Sequence, residues 1–306
     1  MKILVTGGAG FIGSHIVEHF NKKAEICVLD NLRTGYLKNI ENFDIDFVNA
    51  SILDRQSVKK AMKNVDYVFH MAAMISVPES MDNPIECVEI NAKGILVLLE
   101  EAAKAGVKKF CFSTSAANYG DNPIVPKIET MTPEPKSPYA VTKLDGEFYC
   151  DMFTREGKLN TACMRYFNVF GPRQDPASAY AAAIPIFTAK AIKNETLTVY
   201  GDGEQTRDFI YVKDIVAANV FMAQNDFTGV YNVAYGKKIT INKLIKMILT
   251  ITNSSSKVTH KKERSGDVRH SMASIEKILS TGFKFKADFD EGMIQTIEYF
   301  KRAFSK

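Results

Sequence analysis

Tyr139 and Lys143 stand four residues apart, and of the 12 tyrosines only Tyr139 has a lysine at that spacing. On a helix the two would share one face, a turn apart. A free tyrosine titrates near ~10 and is a poor base at neutral pH. A neighbouring ammonium favours the phenolate. Lowering the pKa by ~3 units takes ~4 kcal/mol of differential stabilisation, within reach of a partly buried site with a second cation nearby. The chemistry such a pair could do is proton transfer to and from a substrate hydroxyl. On its own, Tyr-x-x-x-Lys more often marks a surface helix with a solvated lysine. Ser115 closes the run Ser113-Thr114-Ser115 shortly before this pair. Taken in isolation, hydroxyls at a strand end more often mean turn chemistry than catalysis.

The flanking sequence supplies elements to position these groups. Ser137 suits a helix N-cap and Pro138 the first helical position, so a helix is expected from Tyr139 to about Arg155. Five prolines between Pro123 and Pro138 predict an irregular loop before it. At the N-terminus, Lys2–Thr6 reads as a buried strand. It runs into Gly7-Gly8-Ala9-Gly10-Phe11-Ile12-Gly13 and a helical pattern through Phe20. Glycines at this spacing allow a tight turn and close approach of a pyrophosphate to a helix start. A second strand, 25–29, ends at Asp30, placed to bind both hydroxyls of an adenosine ribose. That carboxylate favours NAD over NADP, although Arg33 nearby leaves NADP open; the bland alternative is a glycine-rich turn without ligand. Further strands are expected at 45–49, 66–70, 108–113 and 161–166, with helices at 54–63 and 84–105. Repeated β-α units imply a Rossmann-type, doubly wound parallel α/β sheet. The small residues Ala72 and Ala73 at a strand end would let a flat cofactor lie close. Ile95–Leu99 is apolar nearly all round, so that helix calls for a partner subunit or for complete coverage within the core.

Composition bounds the function classes. With 306 residues, 46% hydrophobic and 24% charged, the chain is an ordinary globular one, large enough for one big domain or two modest ones. No run approaches the ~18 apolar residues of a membrane span, and the start does not resemble a signal peptide. Cys27, Cys87, Cys111, Cys150 and Cys163 are scattered and form no CxxC, which favours reduced thiols in a cytoplasmic protein and no metal site. Residues 237–306 hold 15 Lys+Arg against 7 Asp+Glu. This basic part could face an anionic ligand or be ordinary solvated surface; its dispersed lysines do not suit nucleic acid. Beyond about residue 170 the alternation breaks down, as expected of a smaller mixed α/β substrate-binding domain spanning 170–306. The first domain would then cover 1–169, with parts of 207–235 packing back on it.

Taken together, GGAGFIG at 7–13, Asp30, HMAA at 70–73, Asn91, STSAANYG at 113–120, Tyr139 with Lys143, and RYFNVFGPRQ at 165–174 resemble the extended short-chain dehydrogenase/reductase superfamily. TVYGDGEQTRDFIYVKD at 198–214 and RSGDVRHSMA at 264–273 carry the resemblance across the second half. Within it the chain is most similar to UDP-glucose and UDP-N-acetylglucosamine 4-epimerases. The resemblance implies bound NAD, with a cofactor surface made by Gly7, Gly10, Phe11, Ile12, Gly13, Asp30, Asn31, Ile52, Ala72, Ala73, Asn91, Ser113 and Tyr166, joined by Tyr139 and Lys143. It implies Tyr139 as the base at the sugar C4 hydroxyl, Lys143 as its tuner and ribose contact, and Ser115 as a proton relay. It implies that Asn168, Arg207 and Arg264 grip the diphosphate of a UDP-sugar, Asp267 the uridine ribose, and Val199 with Tyr200 the uracil. It also implies a homodimer, formed through the helix near 84–105 and the Tyr139 helix.

Two positions narrow the expected reaction. Related 4,6-dehydratases carry an Asp-Glu pair where this chain has Ala116 and Ala117, and the glutamate of related decarboxylases is also missing. Ser271 stands where a bulky tyrosine would favour unsubstituted glucose, so a serine leaves room for an N-acetyl group. Epimerisation of UDP-GlcNAc/UDP-GalNAc, with possible UDP-Glc/UDP-Gal activity, is the expectation. The alternatives are a UDP-glucose-specific 4-epimerase, a UDP-glucuronate 4-epimerase and a non-catalytic NAD-sensing protein. Ser51-Ile52 replaces an Asp-Ile pair common beside adenine, and Asn118 replaces a usual valine without explanation from sequence.

Overall fold

The computed structural model describes residues 1–176, 182–263 and 269–304. β1 (Lys2–Thr6) leads into α1 (Phe11–Phe20), β2 (Glu25–Asp30) and β3 (Asp46–Asn49). α2 (Arg55–Ala61) follows, its first turn capped by the Asp54 carboxylate, which accepts from the Gln56 N–H at 3.1 Å. Next come β4 (Tyr67–His70), α3 (Val77–Asp82), α4 (Pro84–Cys87), a wider π-type turn over Val88–Lys93, and α5 (Gly94–Ala105). β5 (Lys109–Ser115) and α6 (Pro138–Arg155) then precede β6 (Thr161–Tyr166).

β7 (Asn168–Phe170), α7 (Ala183–Ile192), β8 (Leu197–Tyr200), β9 (Thr206–Arg207) and β10 (Phe209–Tyr211) open the second half. They are followed by α8 (Val212–Gln224), β11 (Gly229–Val233), β12 (Ile239–Thr240) and α9 (Ile241–Thr252). β13 (Val258–Lys261), α10 (Glu276–Ser280) and α11 (Phe289–Phe304) complete the chain.

The main sheet is parallel, in the order β11-β6-β5-β4-β1-β2-β3. Alternate side chains serve opposite layers, as the pleat requires. Phe110 and Phe112 of β5 join a core with α2 and α5, while Cys111 faces the layer formed by α1 and α8. The sheet is therefore doubly wound. β11, from late in the chain, pairs with β6 from Gly229 opposite Ala162 to Val233 opposite Tyr166. A separate apolar cluster unites α7, α9 and α11 with β8 and β10.

One expectation changes and one open alternative is decided. β5 extends to Ser115, because Ser113, Thr114 and Ser115 pair with Met164, Arg165 and Tyr166 of β6. All three are strand residues, and Ser115 also caps the turn that follows by accepting from the Ala117 N–H. The apolar run Ile95–Leu99 is already covered: Ile95, Leu98 and Leu99 are wholly buried against the sheet and neighbouring helices. That stretch needs no partner subunit. Among the described residues no helix is long and apolar enough to cross a membrane.

Candidate active site

A cavity of about 1480 Å³ runs along the carboxyl ends of the sheet strands. Single small-molecule sites usually measure ~300–1,000 Å³, so this one has room for two ligands end to end. Its walls bring together Gly7, Asp30, Ser115, Tyr139, Lys143, Arg207 and Ser271, residues up to 264 positions apart in sequence.

Tyr139 is fixed by the start of α6. The Ser137 hydroxyl accepts from the Ala140 N–H at 3.2 Å, and the Tyr139 N–H donates to Ser80 Oγ of α3 at 3.2 Å. One turn on, Lys143 is buried and its ammonium donates to the Ser113 carbonyl at 2.7 Å. The Lys143 Nζ lies 5.9 Å from the Tyr139 ring centre and 5.0 Å from that of Phe112. Ser115 Oγ accepts from the Ala117 N–H at 3.1 Å, which leaves its own proton free for the Tyr139 phenol oxygen, its other partner. The electrostatics depart from the sequence expectation. Burial pushes the Tyr139 phenol up, and the Ser115 hydrogen bond only partly offsets this. Burial also pushes the Lys143 ammonium down to about 8. The lysine is itself starved of solvent and shares its charge with a carbonyl, so the protein groups alone do not prepare a phenolate.

Beneath Ser115 lies a buried polar network that also explains Asn118. Glu147 of α6 takes a two-pronged ion pair from Arg165 of β6, at 2.9 and 2.6 Å. Thr114 Oγ1 and Asn118 Nδ2 donate to the same Glu147 oxygen at 2.7 and 2.8 Å. The Arg165 guanidinium stacks 4.7 Å from the Tyr119 ring centre. A valine at 118 would leave that carboxylate one donor short. His70, the last residue of β4, is buried neutral, stacked on Phe112 and bonded to Thr6 Oγ1 at 2.7 Å.

The other end of the cavity fits a dinucleotide. Gly7 adopts φ +68°, and a Cβ there would lie 2.6 Å from the Ala72 N. A Cβ on Gly13 would meet the Gly7 carbonyl oxygen at 2.2 Å. The start of α1, with no side-chain cap at Gly10, faces the cavity through Phe11, Ile12 and Gly13. Helix-start N–H groups left uncapped suit a pyrophosphate. Asp30 accepts from the Leu32 N–H at 2.8 Å and the Ala9 N–H at 3.0 Å, and its remaining lone pairs are available to ribose hydroxyls. Asn31, Ser51, Ile52, Ala72, Ala73, Ser113 and Tyr166 also line the cavity. Asn91 does not. It lies behind the wall, accepting from the Met74 N–H at 2.8 Å and donating to Thr142 Oγ1 at 3.0 Å.

At the far end, Asn168, Arg207 and Ser271 line the cavity. The Asn168 amide donates to the Asp208 carbonyl at 2.9 Å, and Arg207 Nη1 to the Thr206 carbonyl at 2.9 Å. Val199 and Tyr200 are not in its wall: Val199 points into the apolar cluster around α7 and α9, and Tyr200 lies at the end of β8. Arg264 and Asp267 lie outside the described residues. Lining residues that the motifs missed include Tyr36, Lys127 and Lys136. Arg173 and Gln174, inside the 165–174 motif, line it too. Among the described residues no cluster of three or more His, Cys, Asp or Glu is placed to hold a metal ion.

Known proteins share this fold. A UDP-N-acetylglucosamine 4-epimerase from Methanobrevibacter ruminantium M1, solved with UDP-N-acetylmuramic acid, is 40% identical and superposes with a TM-score of 0.96, over 99% of this chain and 98% of that one. A UDP-glucose 4-epimerase from Thermotoga maritima, solved with UDP-glucose, is 39% identical with a TM-score of 0.94, over 99% and 100%. A UDP-glucose 4-epimerase of Mycolicibacterium smegmatis is 33% identical over 98% of this chain and 99% of its own. The sequence profile of the NAD dependent epimerase/dehydratase family matches residues 3–234, which carry the glycine cradle, Asp30, Ser115, Tyr139 and Lys143. The chain belongs to the NAD dependent epimerase/dehydratase family.

Proposed function

We propose that this NAD-dependent enzyme inverts C4 of a UDP-hexose, with UDP-GlcNAc and UDP-GalNAc as its preferred pair. The observation that carries this reading is the cavity wall beside Tyr139. It holds a phenol, a hydroxyl and an ammonium, while Ala116 and Ala117 leave no acid next to Ser115 to drive elimination or decarboxylation. Bound NAD supplies hydride acceptance and return at C4, and a positive charge beside the phenol. Tyr139 takes the proton from the C4 hydroxyl as the C4–H bond breaks, which leaves a 4-keto sugar. Ser115 holds the same oxygen. Lys143 favours the phenolate. Asn168 and Arg207 hold the diphosphate while the keto sugar turns, and Tyr139 returns the proton to the inverted alkoxide. Guanidinium suits this grip because it stays charged and donates in a fork. Ser271 leaves the space an N-acetyl group needs.

The test is product analysis by NMR after incubation with UDP-Glc, UDP-GlcNAc and UDP-GlcA in parallel. Turnover of UDP-glucose without any conversion of GlcNAc to GalNAc would sink the hexosamine preference. Ser271→Tyr is expected to remove the N-acetylated activity selectively. Tyr139→Phe is expected to lose about 10²–10⁴-fold in turnover; full retention would favour a non-catalytic NAD-binding role. The UDP-glucuronate arm tests a second reading, which rests on Lys127 and Lys136 in the cavity wall as partners for a sugar carboxylate. We place the enzyme in the cytoplasm, on the strength of five free cysteines.

We also read the exposed apolar side chains of α3, α4 and α6 as a homodimer face. Val141, Phe148 and Met152 are exposed at helical spacing on α6. Met81 and Ile85, the latter 75% exposed, extend the patch from helices that pack on α6. Contiguous exposed apolar surface of this kind marks an association face, and a second copy would cover it with the same patch.

A further inference from the structure

Arg33 kept NADP open in the sequence, and its surroundings bear on that choice. The loop after β2 folds back over the Asp30 carboxylate. The Tyr36 N–H donates to the Ala9 carbonyl at 3.0 Å, and a Cβ on Gly35 would lie 3.1 Å from Asp30 Oδ2. This brings Arg33 into the same end of the cavity as Asp30. A guanidinium three residues after the ribose-binding acid is an obvious partner for a 2′-phosphate. Here both arms of its fork are taken. Nη1 donates to Glu86 Oε1 at 2.5 Å and Nη2 to Glu79 Oε1 at 2.9 Å. Glu79 and Glu86 line the cavity too, so a phosphate dianion beside Arg33 would meet Asp30, two glutamates and an occupied cation.

We propose that Glu79 and Glu86 are specificity-determining residues, which hold Arg33 so that the cavity selects a dinucleotide with a free 2′-hydroxyl. Asp30 attracts that hydroxyl. The two glutamates withdraw the cation that would otherwise reward a 2′-phosphate, which is discrimination by an added obstacle as well as by an added contact. The pairs link residues 46 and 53 positions apart, so the β2 loop and the α3–α4 segment set the preference jointly. The inference rests on NAD binding and not on the sugar. A negative sugar assay leaves it standing, and its own failure leaves the epimerase reading untouched.

The experiment measures NAD and NADP dissociation constants by calorimetry on the full chain after its cofactor is removed. In Glu79→Gln/Glu86→Gln the preference for NAD is expected to narrow about tenfold, through tighter NADP binding with NAD affinity nearly unchanged. Adding Arg33→Ala to that variant is expected to restore the original preference. An unchanged ratio in the double variant overturns the proposal. So does a narrowing that survives Arg33→Ala, because the carboxylates would then act without the arginine. Melting curves check each fold. If the double variant does not fold, Glu86→Gln alone is read in the same way, with a narrowing of about threefold expected.

Discussion

Tyr139 and Lys143 show what it costs to hold a phenol and an ammonium away from water. The Lys143 pKa falls from 10.5 to about 8 by burial. Below pH 8 the folded protein carries an ammonium that would be better solvated in the unfolded chain. Between 8 and 10.5 the folded lysine loses its proton while the unfolded one keeps it, so this burden lifts as pH rises. In the cofactor-stripped protein, Lys143→Met is therefore expected to raise stability at pH 7 by about 3 kcal/mol while removing activity. The gain should shrink between pH 8 and 10.5. Chemical denaturation of both proteins across that range measures it; a gain constant with pH would mean that packing, not charge, is responsible. The raised phenol pKa of Tyr139 has a kinetic counterpart: turnover should climb with pH until the phenolate is formed in the complex.

At the scale of elements, α6 is the spine of the site. Its first turn carries Tyr139, its second Lys143 and its third Glu147, which reaches Arg165 on β6 and Thr114 on β5. Arg165 and Glu147 are each almost fully buried, so each needs the other. Arg165→Met is expected to cost about 3–5 kcal/mol by stranding the carboxylate, and a further Glu147→Gln should recover part of that loss. Denaturant midpoints of the single and double variants check it. How far the sequence reveals such features depends on how local they are. The glycine cradle, Asp30 and the Ser137–Lys143 helix start are short-range patterns, and the structure places them together. Asn118 has no local signature, because its reason is a carboxylate 29 residues away in sequence. Asn91, Val199 and Tyr200 stand in matching motifs, yet they face the protein interior or a strand end rather than the cavity. Motif position does not report which way a side chain points. The covered face of α5 was likewise illegible, since an all-round apolar helix reads the same in a core as in an interface.

For the whole molecule, the homodimer reading places the association surface on the helices that carry the site. Phe148 is 53% exposed on the outer side of α6, whose inner side presents Lys143. Phe148→Glu is expected to give a monomer by sedimentation; an unchanged sedimentation coefficient would remove this face from consideration. A different consequence follows from β11. The sheet is ordered so that its last strand to be synthesised is an edge strand, beside β6, while α8 packs on α1, the helix that opens the glycine cradle. Until residue 233 is made, β6 presents a row of unpaired backbone groups and α1 lacks one of its neighbours. Ile16 and Val17 of α1 then lack the apolar side chains of α8 that they cluster with in the finished protein, and exposed apolar surface invites association between chains. A fragment ending at 169, without the 207–235 stretch expected to pack back on it, should therefore be recovered as aggregate. A fragment ending beyond β11 should remain in solution. The main sheet of this protein is continuous in space but not in the chain, and a ribosome must finish most of the molecule before that sheet is complete.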